Sequence, residues 1–390
     1  MNSVSVIMPC HNNGHNLSNI LAAYDHQDID EPFELIAVDD ASTDDTLEVL
    51  SRYKPKNFSL RFFTQEKNAG PGGARNRAIP MVESPLILFV GDDILPNRDF
   101  LRRHLQIHRI YSEPNYAVLG HVSWPEDMLV NTVMKHIDGI GAQQFSYHYF
   151  QDGTEYDFRH FYTANLSIKT DFLKLEELWF DQDFTYAAFE DIELAYRLQQ
   201  KGLRILYSSA PVGRHYHYHT VWTFSVRQYQ AGKMANIVES KHSGIIGRLP
   251  RLVNRYKNIL SLTGKVFSKL FTNSEGCAEV FENAALRLAS FYEWNPNPLL
   301  DELYLGLFYY FWTKGLIEGY FTDGDRSDSL VDSLAVRRLS PLLIGFIQRA
   351  RDRTIPLPDG IDDNLLWQLL EISKPKFLKL AGKLIGISES

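Results

Sequence analysis

The sequence predicts an α/β fold, with a mostly parallel β-sheet domain over residues 1–238 and a helical C-terminal region over 239–390. Residues 1 to about 120 alternate short apolar runs with amphipathic segments, an order typical of a parallel sheet covered by helices. Beyond about residue 240 the apolar residues recur at helical spacing. The first part is therefore predicted to carry the chemistry, and the role of the second part stays open.

Composition limits the classes of function. The 390 residues are enough for two domains, with 44% hydrophobic and 23% charged residues as in an ordinary globular protein. A formal net charge of −8 argues against a nucleic-acid partner, which requires a basic face. Cys10 and Cys277 cannot form a disulfide framework, so we expect a reducing compartment.

The location is predicted from what the sequence lacks. It begins with the strand pattern Val4–Met8 and not with a charged-then-apolar leader. No apolar run approaches the ~18 residues that a membrane span needs. We therefore expect a cytoplasmic protein without a secretion signal.

Strands and helices alternate in order along the first part of the chain. Since parallel strands with helical crossovers all end at the same edge of a sheet, the loops after these strands are expected to lie together. The predicted strands are Val4–Met8, Glu34–Val38, Leu60–Gln65, Leu86–Val90 and Ala117–Gly120, and the predicted helices are Leu17–Tyr24, Asp44–Lys54, Gly73–Ile79 and Phe100–Tyr111.

Two adjacent carboxylates follow the most apolar of these strands. Leu86–Val90 is entirely apolar and predicts a strand buried on both faces, and Gly91, Asp92 and Asp93 come directly after it. Carboxylates this close repel each other unless a cation lies beside them. Hard oxygen ligands suit Mg²⁺ or Mn²⁺ bridging to a diphosphate. The alternative is an ordinary surface turn.

The other loops at the same edge also carry polar side chains. Pro9 ends the first strand and His11 follows it, and Asp39 ends the second. The third loop, Asn68–Arg77, is a glycine-rich turn that leads into a helix and contains Arg75. Such a turn leaves backbone N–H groups free to meet an anion.

Two common nucleotide-binding motifs are excluded. Arg75 stands where a dinucleotide-binding fingerprint has its third glycine, and the turn follows the third strand and not the first. The sequence also lacks a Walker A motif.

Acids and histidines continue the pattern further along the chain. Glu190 and Asp191 open a helix, where they are either catalytic groups or merely complement the helix dipole. His215, His217 and His219 alternate on an extended segment, which points them to one face and could bring an imidazole to a metal. The alternative for the histidines is a solvent-facing run.

Six motifs in order resemble the family 2 glycosyltransferases, the inverting group with the GT-A fold. The resemblance covers residues 3 to about 235. The commoner family pattern is Asp-x-Asp, whereas here Val90 or Gly91 stands at its first position, so metal binding would rest on Asp92 and Asp93. The matching segments are Val4–Asn12, Val38–Asp44, Asn68–Asn76, Gly91–Pro96, Asn165–Ser167 and Glu190–Leu198.

The resemblance implies a set of site residues. Asp191, beside Glu190, would be the catalytic base that takes the proton of the acceptor hydroxyl. Mn²⁺ or Mg²⁺ would be held by Asp92 and Asp93 together with a histidine of the run. We favour His217 and His219 as ligands, but which of His215, His217 and His219 meets the metal stays open. The residues implied for nucleotide-sugar binding are Pro9, His11, Asp39, Asn68, Arg75 and Asp92.

The expected activity is transfer of a sugar from a nucleoside-diphosphate donor, with a UDP-sugar favoured, to an acceptor hydroxyl in polysaccharide or cell-envelope glycan synthesis. The acceptor is expected to be a glycan or lipid-linked, and self-association stays open. Two alternatives remain: a catalytically inactive nucleotide-sugar-binding module, and a nucleotidyltransferase, which shares the sheet and the metal.

A basic segment opens the helical half. Residues 241–270 contain seven Lys or Arg residues and no acid, interleaved with apolar residues. This pattern suits a helix lying on an anionic membrane surface at the inner face of the membrane. It equally suits a helix that packs its apolar side inward and pairs its basic side with an acidic domain or a second subunit.

Overall fold

A computed structural model describes residues 3–141, 143–247, 277–320 and 324–373. These residues form two compact units. The first contains the residues up to Val130 and those from 143 to Tyr218, and the second contains Asn131–Gly141 and the described residues from His219 onward. The predicted boundary at 238 falls inside an unbroken helix, Val221–Lys241. The difference arises because that helix packs on other helices of the second unit.

The first unit is built on a mixed sheet of nine strands within the described part of the chain. Its strand order is β3-β2-β1-β4-β8-β6-β9-β5, with β7 paired to β9. The strands are β1 (Val4–Cys10), β2 (Phe33–Asp39), β3 (Ser59–Thr64), β4 (Leu86–Val90), β5 (Ile94–Pro96), β6 (Tyr116–Ser123), β7 (Glu155–Tyr156), β8 (Asn165–Lys169) and β9 (Arg204–His215).

The sheet is less parallel than the sequence predicts. Strands β1 to β4 pair in parallel, as do β6 and β9. Strand β8 enters between β4 and β6 in the opposite direction, and β5 and β7 run antiparallel to β9. The direction of β8 is set by its antiparallel pairing with both neighbours, β4 and β6. The carboxyl ends of β4 and β9 still share an edge with the start of β8.

Helices cover the sheet of the first unit. Strands β1, β2 and β4 are buried along their whole lengths because helices pack on both faces. One core cluster joins Val6, Met8 and Leu88 of the sheet to Leu17 and Leu21 of the first helix. The helices of this unit are α1 (Gly14–Asp25), α2 (Thr46–Arg52), α3 (Gly70–Ala78), α4 (Phe100–Ile110), α6 (Thr170–Leu173) and α7 (Glu190–Gln199).

The second unit is helical, as predicted. Its helices α8 (Val221–Lys241) and α10 (Leu300–Tyr320) are in contact through their backbones. A Cβ at Gly315 would lie 1.9 Å from the carbonyl oxygen of Tyr229, so only glycine fits there. Phe224 and Phe308 pack edge to face between them. The helices are α5 (Thr132–His136), α8 (Val221–Lys241), α9 (Cys277–Phe291), α10 (Leu300–Tyr320), α11 (Gly324–Asp352) and α12 (Asp363–Ile372).

Residues 248–276, which hold most of the predicted basic segment, lie outside the described residues. Both interpretations of that segment therefore remain predictions. None of the helices in the described ranges combines the length and apolar character that a membrane span requires.

Candidate functional site

A carboxylate and two imidazoles meet where β4 and β9 end. Strand register explains the meeting, since His215 at the end of β9 pairs with Ile94, the residue after Asp93. The Oδ2 atom of Asp93 lies 3.1 Å from His215 Nε2 and 3.2 Å from His217 Nδ1. One ligand atom from each residue lies within 4.8 Å of the others, so these three side chains could hold one metal ion.

The two adjacent acids have different environments. Burial alone would raise the pKa of Asp93, but His215 and His217 outweigh it and hold that pKa well below its usual range. Burial, reinforced by Asp93, raises the pKa of Asp92 well above its usual range. Asp92 Oδ2 accepts a hydrogen bond from the His11 backbone N–H at 3.0 Å. Asp92 is thus tied to the first loop and is not among the three clustered residues.

The structure separates the three histidines of the run. His219 belongs to the second unit, where its ring lies 5.2 Å from that of Phe224 and its carbonyl accepts from the Asn131 side chain. His215 and His217, and not His219, reach Asp93 in the described chain. The alternation of the histidines does not predict this difference, because the extended strand β9 ends at His215.

A stacked aromatic ring and a hydrogen bond between the ends of two strands hold His215 in place. Trp124 stacks on its imidazole, with ring centroids 5.5 Å apart and an interplanar angle of 9°. Phe145 lies 6.0 Å away. The neighbouring Arg214 donates to Ser123 Oγ at 2.7 Å, which ties the end of β9 to the end of β6. An isolated tryptophan in the sequence gives no signal for this role of Trp124.

Asp191 lies at the same edge as the cluster. Its Oδ2 accepts from the Thr163 backbone N–H at 3.4 Å, and its Oδ1 accepts from Ile192 N at 2.8 Å. Thr163 comes just before Asn165, which pairs with Val90 at the end of β4. Burial raises the pKa of Asp191 despite the opposing charge of Arg75. A carboxylate with a raised pKa is a stronger base than an exposed one.

Arg75 is buried and paired with an acid. Its guanidinium is buried, its Nη1 lies 3.1 Å from Glu190 Oε1, and it packs over the rings of Phe180 and Phe89. The role beside the ribose and phosphates that the resemblance implies for Arg75 remains a prediction.

The other predicted nucleotide-binding residues lie near one another at the ends of β1 and β2. Pro9 is buried in β1 and pairs with Val38. The exposed ring of His11 has its Nδ1 2.8 Å from the Asp40 carbonyl oxygen, and the Asn68 amide lies 3.3 Å from the same ring. Asp39 is buried, and its Oδ1 accepts from Ser42 N at 3.3 Å.

Asp40, which follows Asp39, connects two of these loops. Its carboxylate accepts from Gln65 Nε2 at 2.7 Å and from Ala69 N at 2.8 Å. Burial raises its pKa. Asp40 therefore fastens the end of β2 to the glycine-rich turn, a structural task that explains why it is buried while His11 is exposed.

Comparison with known families matches this half of the chain. Residues 5–168 match the family model described as glycosyl transferase family 2. Residues 5–168 therefore form a family 2 glycosyltransferase domain. The mixed sheet with helices on its faces, followed by a helical region, agrees with the fold class predicted from the sequence.

Relatives of this glycosyltransferase domain are found among bacterial enzymes. The chain is 33% identical over 116 residues to the glycosyltransferase YfnE of Bacillus subtilis, covering 30% of this chain and 29% of that protein. It is 36% identical over 104 residues to the poly(ribitol-phosphate) beta-N-acetylglucosaminyltransferase TarS of Staphylococcus aureus, covering 26% and 18%. The chain thus spans less than a third of the length of these relatives.

A solved structure is also similar to the chain. The crystal structure of residues 1–349 of S. aureus TarS in complex with UDP aligns with 18% identity and a TM-score of 0.46, covering 86% of this chain and 90% of that one.

In the first unit, the described geometry brings together two chemically different acid centres at one edge of the sheet. Asp93 with two histidines can hold a divalent cation. Asp191 can accept a proton, and Glu190 is paired with Arg75. This division of tasks is what the site can perform.

Proposed function

We propose that the chain is an inverting, metal-dependent glycosyltransferase that moves a sugar from a nucleoside-diphosphate donor to an acceptor hydroxyl. The observation that supports this most strongly is the placement of the Asp93–His215–His217 cluster and of Asp191 at one edge of the sheet. Ligands bind at this edge in α/β folds because the loops there are free to surround them.

The donor set fits a divalent transition metal. Asp93 offers a carboxylate oxygen, and His215 and His217 offer imidazole nitrogens. We propose Mn²⁺ over Mg²⁺, because Mg²⁺ prefers an all-oxygen shell and binds imidazole poorly. A bound divalent ion supplies neutralisation of the charge that develops on a diphosphate leaving group. Trp124 would keep the His215 ring oriented for that ligand bond.

The remaining chemistry belongs to the chain's own carboxylates. Asp191 is proposed to receive the proton of the acceptor hydroxyl as that oxygen attacks the anomeric carbon. Attack by the acceptor itself, opposite the departing diphosphate, inverts the anomeric centre, and no carboxylate nucleophile is needed. Glu190 is proposed to support Asp191 and not to exchange protons with the acceptor, since it is buried against Arg75.

The proposed donor is a UDP-sugar, held with the help of His11, Asn68 and Asp39. The name of the relative TarS describes transfer of N-acetylglucosamine to poly(ribitol-phosphate), which supports a role in cell-envelope glycan synthesis. We propose a cytoplasmic location, which rests on the two cysteines that make no disulfide framework.

Product analysis with a donor panel tests the proposal. The purified chain is incubated with UDP-, GDP- and dTDP-sugars and glycan acceptors, with Mn²⁺ or with chelator, and products are identified by mass spectrometry. We expect release of a nucleoside diphosphate and an inverted glycoside only with metal. Release of pyrophosphate from a nucleoside triphosphate and a sugar phosphate would identify a nucleotidyltransferase. Donor binding without any transfer would identify a binding module.

A further inference from the structure

A buried ion pair joins the glycine-rich turn to the helix that carries the proposed base. Arg75 on α3 and Glu190 on α7 lie 3.1 Å apart, and their side chains are only 6% and 5% exposed. Two charges are costly to remove from water unless they are paired well. Their position directly beside Asp191 makes the pair more than a surface contact between two helices.

The packing around the pair lets α3 approach closely. A Cβ on Gly72 would lie 3.0 Å from the Cβ of Phe180 and 3.5 Å from the Cγ of Glu190. The Asn76 side chain donates to the Phe180 carbonyl at 2.6 Å and accepts from its N–H at 3.0 Å. Phe180 in turn lies under the guanidinium of Arg75. The segment leading to α7 is thus clamped onto α3.

The backbone is strained where the clamp meets the base. Phe189, directly before Glu190, has a φ of 70°. This left-handed conformation is unfavourable for a bulky residue and persists only where surrounding contacts impose it. The strained turn sets the direction in which α7 begins, and therefore where Glu190 and Asp191 point.

We propose that Arg75 is a positioning residue for the catalytic base: through Glu190 it fixes the place and the charge environment of Asp191. The proposal rests on the proposed function of Asp191. It assigns the arginine of the glycine-rich turn to the acceptor side of the reaction and removes it from the donor phosphates.

The charges that face Asp191 support this role. They are the cation Arg75, the acid Glu190 and the phenol Tyr162, whose pKa is raised by burial so that it stays neutral. Burial raises the pKa of both acids, and Asp191 raises that of Glu190 further. Arg75 opposes these effects at both acids. Without Arg75, two buried acids would share one site with no cation.

The first test is the pH profile of turnover in three variants. Loss of activity at low pH reports protonation of Asp191. In Arg75→Gln we expect this acidic limb to move up by about 1 pH unit, because an opposite charge is lost. In Glu190→Gln it should move down, because a like charge is lost. The variant with both changes should return near the wild-type profile.

Matched controls separate positioning from general damage. Arg77→Gln removes an exposed arginine of the same helix α3, which lies over Phe63. Glu193→Gln removes a buried, arginine-paired acid from the same helix α7, since Glu193 pairs with Arg197. Both should leave the pH profile unmoved, even where the second lowers stability. Unmoved profiles in Arg75→Gln and Glu190→Gln as well would overturn the proposal.

Thermal unfolding across pH tests the charge arrangement without any turnover. In Arg75→Gln the folded-state pKa of Glu190 should rise further above its unfolded value. A raised folded-state pKa gives stability that is present at low pH and lost as the pH rises. The melting temperature of Arg75→Gln should therefore fall relative to wild type between pH ~5 and ~8, and Arg75→Gln/Glu190→Gln should recover.

The two tests fail in different ways. Parallel melting curves for Arg75→Gln and wild type would overturn the positioning role. A wild-type protein that transfers no sugar from any donor would overturn the proposed function, while the melting curves would still decide whether Arg75 governs the charge of the acidic pair.

Discussion

Two pairs of adjacent acids, Asp92–Asp93 and Glu190–Asp191, lie at the same edge of one sheet and have different partners. Asp93 faces two imidazoles, one of them half-exposed, which can bind a metal together with it. Glu190 faces a buried guanidinium, which stays charged at any working pH. The pKa of Asp93 is lowered while that of its neighbour Asp92 is raised, whereas burial raises the pKa of both Glu190 and Asp191.

The comparison shows that partners, and not the acids themselves, assign the chemistry. The two imidazoles beside Asp93 can bind a metal, and one of them is half-exposed, so Asp93 can bind a cation together with them. A permanent, buried cation cannot be replaced, so Glu190 is suited to hold its neighbour in place. The following experiments test whether the two acid pairs have these different roles, beginning with the largest expected effect.

Asp191→Asn removes the proposed proton acceptor and keeps the shape of the side chain. We expect turnover to fall by about 10²- to 10⁴-fold, the usual contribution of a general base. Affinity for UDP with Mn²⁺ should stay close to wild type, because the metal cluster is untouched. Steady-state kinetics and titration calorimetry measure the two quantities. Near-normal turnover would mean that Asp191 only complements the dipole of α7.

Asp93→Asn removes the carboxylate of the metal cluster. We expect Mn²⁺ affinity to fall by at least about 10- to 100-fold, the loss typical of groups around a bound metal. Calorimetry with Mn²⁺ alone and with UDP measures it. Asp92→Asn is the matched control and should weaken Mn²⁺ less, since Asp92 is tied to His11 N. If Asp93→Asn and chelator-treated wild type both bind UDP as tightly as the untreated wild type does, a metal at this site is ruled out.

The stabilisation that Mn²⁺ gives should depend on pH. Imidazoles must be neutral to bind a metal, so protons compete with Mn²⁺ at His215 and His217. At about 100 times the dissociation constant, a ligand stabilises the fold by about 2.7 kcal/mol. Thermal unfolding with and without Mn²⁺ should show a larger gain at higher pH than at lower pH. A gain that is independent of pH would point to a cluster of oxygen ligands without histidine.

Gly72→Ala should produce the smallest effect. The added Cβ would lie 3.0 Å from that of Phe180, and a forced shift of this kind costs about 1 kcal/mol or slightly more. Gly345→Ala is the control, because its Cβ would meet nothing within 4 Å and alanine favours a helix. Chemical denaturation measures both. Equal stabilities for the two variants would show that the clamp between α3 and Phe180 is loose.

Several elements, and the polar residues that follow them, can be predicted from the sequence alone. Largely apolar runs predict β1, β2 and β4, whose residues are buried along the whole strand. Gly, Pro and Asp residues mark the turns after the strands, which is where the acids and the glycine-rich turn are predicted. The order of the motifs predicts the family, and the comparison confirms it. The helical character of the second unit also follows from the spacing of its apolar residues.

The contacts between side chains that are distant in the sequence are seen only in the folded structure. Strand register places His215 and His217, and not His219, against Asp93. Packing of α3 on the segment before α7 brings Arg75 to Glu190 across 115 positions of sequence. The reversed direction of β8 is likewise set by its neighbours in the sheet. Local sequence encodes propensity and periodicity, whereas contacts between distant segments depend on how all the elements pack together.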